Sequence, residues 1–234
     1  MKPAAQIDAT SPDSWETNGW SLVPAFLGSA ELERLRDEAD RLWSEQSLFG
    51  TRGAVPNSAT RSDRLDPVID VSPLFRALAK DARLIAAVET ALGGETRLMK
   101  DKFIAKPPGA GGYAAHQDGA YWPGMGLQVE RFLTAILFLD DSTAEKGAIE
   151  CAPGFHRTLL TDPGEVADPD ETALGDFNAI EAKAGDLLLL HSLTPHRSGP
   201  NRGTGMRRAL LFTYGVDPRA DLYDIYRRSR QALY

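Results

Sequence analysis

The sequence predicts a mainly β protein with flanking helices, in which a helical layer packs on a β-sandwich or jelly roll. Two observations carry this reading. Helical periodicity is confined to the first part of the chain and stops at Gly93-Gly94. Strand-like runs follow at 96–106, 113–117, 131–139, 148–152, 178–183, 186–191 and 207–215, separated by Gly, Pro and Asp clusters. Helices first and many short strands afterwards suit a layered architecture closed by antiparallel sheets.

Taken in order, residues 1–14 are polar and read as loosely ordered. Trp15 to Phe26, around Asn18-Gly19, predicts a short helix, a turn and a strand at Trp20–Val23. Ser29 is the expected N-cap of the next helix, with Glu31 and Glu33 in its first turn. Leu32, Leu35, Ala39, Leu42 and Trp43 then recur at helical spacing. Residues 47–66 break every period and are rich in Gly, Ser, Asn and Arg. A loop of that length in a compact domain is expected to be functional or disordered, and if functional a lid is its natural role. A second helical segment is expected over 72–92, with Leu74, Leu78, Ile85, Val88 and Leu92 on one side, ending at Gly93-Gly94. Residues 161–176 form an acidic, Pro-containing excursion between strands, and the tail from Asp221 to Tyr234 reads as a surface helix. With no repeat or second boundary, one domain over 1–234 is expected: a helical part at 15–94, a β core at 95–216 and a tail at 217–234.

The composition narrows the function classes. The chain has 234 residues, 42% hydrophobic and 25% charged, an ordinary globular balance. Twenty-six basic against 33 acidic residues give a net charge of −7, which argues against a nucleic-acid partner. The most apolar run, Phe132 to Leu139, is far shorter than the roughly 20 residues a membrane helix needs, and no membrane partner is expected. Cys151 is the only cysteine, and the polar N-terminus lacks an apolar signal core. A cytoplasmic protein is the expectation.

His116-Gln117-Asp118 is the chemically informative triplet. On a β-strand, side chains two residues apart share a face, so this imidazole and this carboxylate can grip one metal ion. A third ligand from elsewhere completes the two-His-one-carboxylate triad typical of non-haem Fe(II) oxygenases. An HxD alone is weak, and Arg207-Arg208 alone would be a solvated pair. Four segments together are specific: KPPGAGGYAAHQD (106–118), DDSTAEKGAIECAPGFHR (140–157), GDLLLLHSLTPHRSGPN (185–201) and MRRALLFTY (206–214). Through them the chain resembles the phytanoyl-CoA dioxygenase family of Fe(II)- and 2-oxoglutarate-dependent oxygenases over nearly its whole length.

The resemblance implies a double-stranded β-helix, a cupin-like jelly roll, with Fe(II) as cofactor and 2-oxoglutarate and O2 as cosubstrates. It implies His116, Asp118 and His196 as the catalytic metal ligands. Ser198 and Arg207 occupy the family's offsets from His196, two and eleven residues on. Arg207 is thereby expected to grip the remote carboxylate of 2-oxoglutarate with its planar fork, and Ser198 to donate to the same carboxylate. Arg208 faces the other side of its strand. His156 is expected to be a turn residue and His191 a packed one. Lys102 and Thr134 are further cosubstrate candidates. Ile136 stands where relatives often carry a Trp, and with Thr134 it is expected to line the site. Tyr121 and Trp122 are candidate substrate walls, and Arg61 and Arg64 candidate substrate contacts that favour an anionic small molecule. A carboxylate at 118 fills the position that related halogenases leave open, so hydroxylation with release of succinate and CO2 is the expected outcome. The rivals are a non-oxidative jelly-roll metal enzyme, an isomerase or hydrolase, and a catalytically silent binding module.

Overall fold

The structure is a computed structural model that describes residues 9–11, 13–49, 63–122, 125–160, 173–219 and 221–231. Helix α1 (Ser14–Asn18) turns at Gly19, whose φ of 88° is a left-handed conformation, into strand β1 (Trp20–Val23). Helix α2 (Ser29–Ser44) has Gly28 as its N-cap, so Ser29 is the first helical residue and not the cap. The long helical segment expected over 72–92 is two helices, α3 (Pro73–Leu78) and α4 (Ala82–Leu92). The break is a capping event. Ser72 accepts from Phe75 N and Asp81 accepts from Arg83 N, so each side chain begins its own helix. Gly93, at φ 69°, closes α4 as its spacing suggested.

The strands form two antiparallel sheets. The larger runs in the order β1-β8-β5-β10-β3-β2, with β2 Arg64–Leu65, β3 Arg97–Lys106, β5 Phe132–Phe138, β8 Leu187–His191 and β10 Arg207–Gly215. The smaller runs β4-β9-β6-β7, with β4 Tyr113–His116, β6 Ile149–Cys151, β7 Asn178–Ile180 and β9 His196–Ser198. Every strand predicted from the sequence is present, with β7 shorter than expected. Strands β2 and β9 were not predicted, since each is too short to show an alternation of its own.

The large sheet is buried on both faces, which explains the unbroken apolar runs of β5 and β8. Leu133, Ala135 and Leu137 of β5 and Leu210 and Phe212 of β10 pack outward against Leu35, Phe75 and Val88 of the helices. Ile136 and Phe138 of β5, with Ala209 and Leu211, face inward against Ile149, Cys151 and Ile180 of β6 and β7. The tail is helix α5 (Leu222–Gln231), and it is more than a surface helix. Leu222 and Tyr226 are buried with Met99, Trp122, Met125 and Phe132, and burial of such side chains contributes about 1.5–3 kcal/mol each. The expected lid (47–66) and the acidic excursion lie largely outside the described residues, as does Arg61; the described ends of the former enter from the 3-10 turn Gln46–Leu48 and carry β2. No helix among the described residues is long and apolar enough to cross a membrane.

Candidate metal centre and active site

The metal candidates converge where β4 meets β9. His116 lies directly opposite His196 in the ladder, and a register shift between Tyr113 and His116 creates that pairing. Such an irregularity re-aims a side chain at a strand end. The two rings stand 4.2 Å apart, centroid to centroid. His116 Nδ1 lies 2.8 Å from the Ala114 carbonyl and His196 Nδ1 lies 2.9 Å from the Thr194 carbonyl. A carbonyl only accepts, so both Nδ1 atoms carry the proton and both Nε2 lone pairs are free for a metal.

Asp118 is not on the strand with His116. β4 ends at His116 and Asp118 opens a 3-10 turn, Asp118–Tyr121. Gln117 is still extended, at φ −108° and ψ 126°, and that one residue preserves the alternation that puts both ligands on one side. Asp118 Oδ1 is 3.9 Å from His116 Nε2, and ligand atoms of His116, Asp118 and His196 all lie within 4.8 Å of one another. Thr134 Oγ1 donates to Asp118 Oδ2 at 3.0 Å and is itself 3.0 Å from Thr213 Oγ1. That bond leaves Oδ1 for the centre.

The electrostatics match a divalent cation. Burial, with His196 alongside, pushes His116 down to about 3, and burial also lowers His196. Both imidazoles are therefore neutral, the ligating form. Burial alone would raise Asp118, but Lys100, Lys102 and the two histidines hold it well below the usual carboxylate range. The tautomers, the neutral rings and the ionised carboxylate together fit a metal ion.

A cavity of about 330 Å³ opens from the triad between the sheets, with Arg207 and Ser198 at its wall. Arg207 is 3% exposed; one of its terminal nitrogens donates to Ser198 Oγ at 3.0 Å, and its Nε has no partner among the described residues. Burial pushes this guanidinium down to about 10. Ser198, the other expected cosubstrate contact, lies beside the Arg207 fork. Its hydroxyl accepts from Arg207 and from Lys106 Nζ at 2.9 Å, and donates to the Gly147 carbonyl at 2.9 Å. With its proton on the Gly147 carbonyl, Ser198 braces the arginine in this structure. Lys106, which the sequence showed only as the start of a Pro-Pro turn, is fully buried beside Arg207. Burial and Arg207 push its amine down to about 7.

The remaining candidates divide cleanly. Lys102, Thr134, Ile136, Tyr121, Trp122 and Arg64 all line the cavity. Tyr121 is 40% exposed at the rim with its edge on His116, whereas Trp122 is buried against Phe132. Arg64 is already paired with Asp66. His191 lies 2.9 Å from the Glu130 carbonyl and meets the His156 ring edge-to-face, and neither ring lines the cavity. Arg208 turns away, its Nε 2.7 Å from Asp140. Several lining residues were not singled out from the sequence, Lys100 and Tyr226 among them. Lys100 shares the strand parity of Lys102, which was the available signal, and Tyr226 comes from the tail helix, whose buried stripe the surrounding arginines obscured.

The profile of the Phytanoyl-CoA dioxygenase (PhyH) family matches residues 15–209. Methylphosphonate hydroxylase of Gimesia maris is 27% identical over 219 residues, spanning 92% of this chain and 83% of that protein. Ectoine dioxygenase of Halomonas elongata is 29% identical over 231 residues, spanning 89% and 70%. Among solved structures, EctD from S. alaskensis with 2-oxoglutarate and 5-hydroxyectoine superposes with a TM-score of 0.78 at 23% identity, covering 95% of this chain and 85% of that one. The chain belongs to the phytanoyl-CoA dioxygenase family, and with it to the iron- and 2-oxoglutarate-dependent dioxygenases. Its fold is the jelly roll of those enzymes.

Proposed function

We propose that the protein hydroxylates an unactivated C–H bond of a small anionic molecule, with His116, Asp118 and His196 holding the iron and Arg207 anchoring 2-oxoglutarate. The observation that carries this reading is the convergence in one cavity of a ligating triad and a buried guanidinium whose Nε has no partner among the described residues. A buried charge is stable only when paired, and the planar fork of arginine suits a carboxylate. A non-oxidative metal enzyme or a silent binding module has no need of that anchor. The relatives carry names that include methylphosphonate hydroxylase and 2-aminoethylphosphonate dioxygenase, which favours a small phosphonate-like or comparable anionic substrate. The cytoplasm is the proposed setting.

When bound, iron with 2-oxoglutarate and O2 supplies the oxidising chemistry: one oxygen atom enters the substrate, the other enters succinate, and CO2 leaves. The protein's own residues bind and orient. The Ala114 and Thr194 carbonyls fix both imidazole rings, and Thr134 fixes the Asp118 carboxylate. Ser198 and the Gly147 carbonyl behind it hold the Arg207 fork in place. Ile136, Leu190 and Leu211 give the cavity an apolar wall that excludes water beside the reacting C–H bond.

An anaerobic titration tests the reading. Protein with Fe(II) and 2-oxoglutarate should develop a visible metal-to-ligand charge-transfer band, and a panel of small anions should then include one that couples O2 uptake to succinate release. Absence of a 2-oxoglutarate-dependent band would return the site to the non-oxidative rivals.

A further inference from the structure

Two cations on the inner face of β3 are left over after the triad and the Arg207 anchor are accounted for. Lys100 is 7% exposed, and its ammonium lies 5.8 Å from the centre of the Tyr226 ring. Lys102, on the same face two residues on, has no hydrogen bond or ion pair with any described residue. The other lining cations are matched: Arg64 by Asp66 and Arg197 by Glu150. The carboxylates that act on these two lysines, Asp118 and Asp66, are claimed elsewhere, Asp118 by the metal site and Asp66 by Arg64. Buried ammonium groups without a carboxylate of their own favour an anion.

The strand register says which ligand that anion is. Lys106 lies opposite Arg207, whereas Lys100 lies opposite Thr213, which in turn pairs with Thr134, the residue bonded to Asp118. Along β3, Lys100 and Lys106 are roughly 20 Å apart. A dicarboxylate reaching from the triad to Arg207 therefore runs away from Lys100. The charge count agrees. A divalent metal and Arg207 balance Asp118 and the 2-oxoglutarate dianion, so Lys100 and Lys102, like Lys106 beside Arg207, add positive charge that those groups do not need. Ammonium groups are compact point charges with donors in several directions, suited to a tetrahedral oxyanion, where a planar carboxylate suits arginine. Two of them spaced roughly 7 Å along one strand face can close on a single small group.

We infer that Lys100 and Lys102, with Tyr226 of α5 packed over Lys100, form the substrate subsite for a compact dianionic group of the phosphonate class. The inference rests on the oxygenase reading, which supplies the triad and the Arg207 anchor. Tyr226 reaches the subsite from α5, beyond residue 209 where the family match ends. The tail helix thus contributes to substrate recognition as well as to packing.

Calorimetry on anaerobic protein loaded with Fe(II) and 2-oxoglutarate tests this by binding alone, with methylphosphonate and acetate as probes. Methylphosphonate should bind wild type at least about tenfold more tightly than acetate, the size of one charge-assisted hydrogen bond. Lys100→Gln should weaken methylphosphonate by about tenfold or more and leave 2-oxoglutarate affinity nearly unchanged. Tyr226→Leu should weaken methylphosphonate a few-fold through loss of the ring that positions the ammonium. Equal affinity for the two anions, or methylphosphonate binding unaltered in Lys100→Gln, overturns the subsite. Protein that binds 2-oxoglutarate but not methylphosphonate overturns the subsite and leaves the oxygenase reading standing; protein that binds neither removes both.

Discussion

Arg207 and Arg208 are neighbours with opposite fates, and the alternation of one strand separates them. Arg208 faces the helices and is saturated: Asp140 receives its Nε at 2.7 Å and Asp40 its other arm. Arg207 faces the cavity with Ser198 as its hydrogen-bond acceptor, beside the like charge of Lys106. Truncating Arg207 should remove the counter-charge of the 2-oxoglutarate carboxylate, a loss of roughly 3–5 kcal/mol for a buried pair and so a few hundred-fold or more in Kd. Arg208→Ala should leave that Kd nearly unaltered and instead lower the melting temperature, because Asp140 loses its closest ion-pair partner. Measuring both quantities for both variants decides it, and a large Kd effect at Arg208 would mean that the two side chains exchange faces. This opposition was legible from parity alone. Two neighbouring details were not. The hydroxyl proton of Ser198 goes to the Gly147 carbonyl, and Lys106 folds in beside Arg207; both depend on loops that approach only in three dimensions.

At the scale of elements, the residue between the two ligands has a role of its own. The Gln117 side chain is 2% exposed, donates to the Thr158 and Leu193 carbonyls at 2.9 and 2.5 Å, and accepts from Leu160 N at 2.8 Å. Leu193 precedes Thr194, whose carbonyl orients His196, so one amide ties the HxD turn to the segment that carries the third ligand. Gln117→Ala should strand these carbonyls at a cost of about 1–3 kcal/mol and weaken metal affinity by about 10–100-fold. Metal titration alongside thermal unfolding measures both, and an unchanged metal Kd would reduce Gln117 to a packing residue. The sequence shows Gln117 only as the variable position of a motif. Other elements were legible in proportion to their length. The strands buried on both faces and the helix periods stood out, whereas β9 is three residues long and takes its identity from pairing with β4 and β6. The tail helix was misread because its arginines suggest solvent, while Leu222 and Tyr226, one turn apart, dock on β3 and the HxD turn.

At the scale of the molecule, the triad joins parts of the chain that meet only in the folded state. His116 and His196 belong to the small sheet, and Asp118 is bonded through Thr134 to the large one, so a metal ion at their centre bridges both layers. An unfolded chain offers no such site, and ligands that bind only the native state stabilise it by mass action. At a free metal concentration about a hundredfold above Kd the gain is about 2.7 kcal/mol. For a protein of this size each kcal/mol raises Tm by about 2–4 °C, so the metal-loaded protein should melt roughly 5–11 °C above the chelator-stripped one. His116→Ala and His196→Ala should abolish that shift, and His156→Ala should keep it, since His156 meets His191 edge-to-face away from the cavity. Anaerobic unfolding scans of the three variants, with Fe(II) and with chelator, measure it. A full shift surviving in His196→Ala would reassign the third ligand to His191, whose Nε2 now faces the Glu130 carbonyl and would have to leave it to reach the metal.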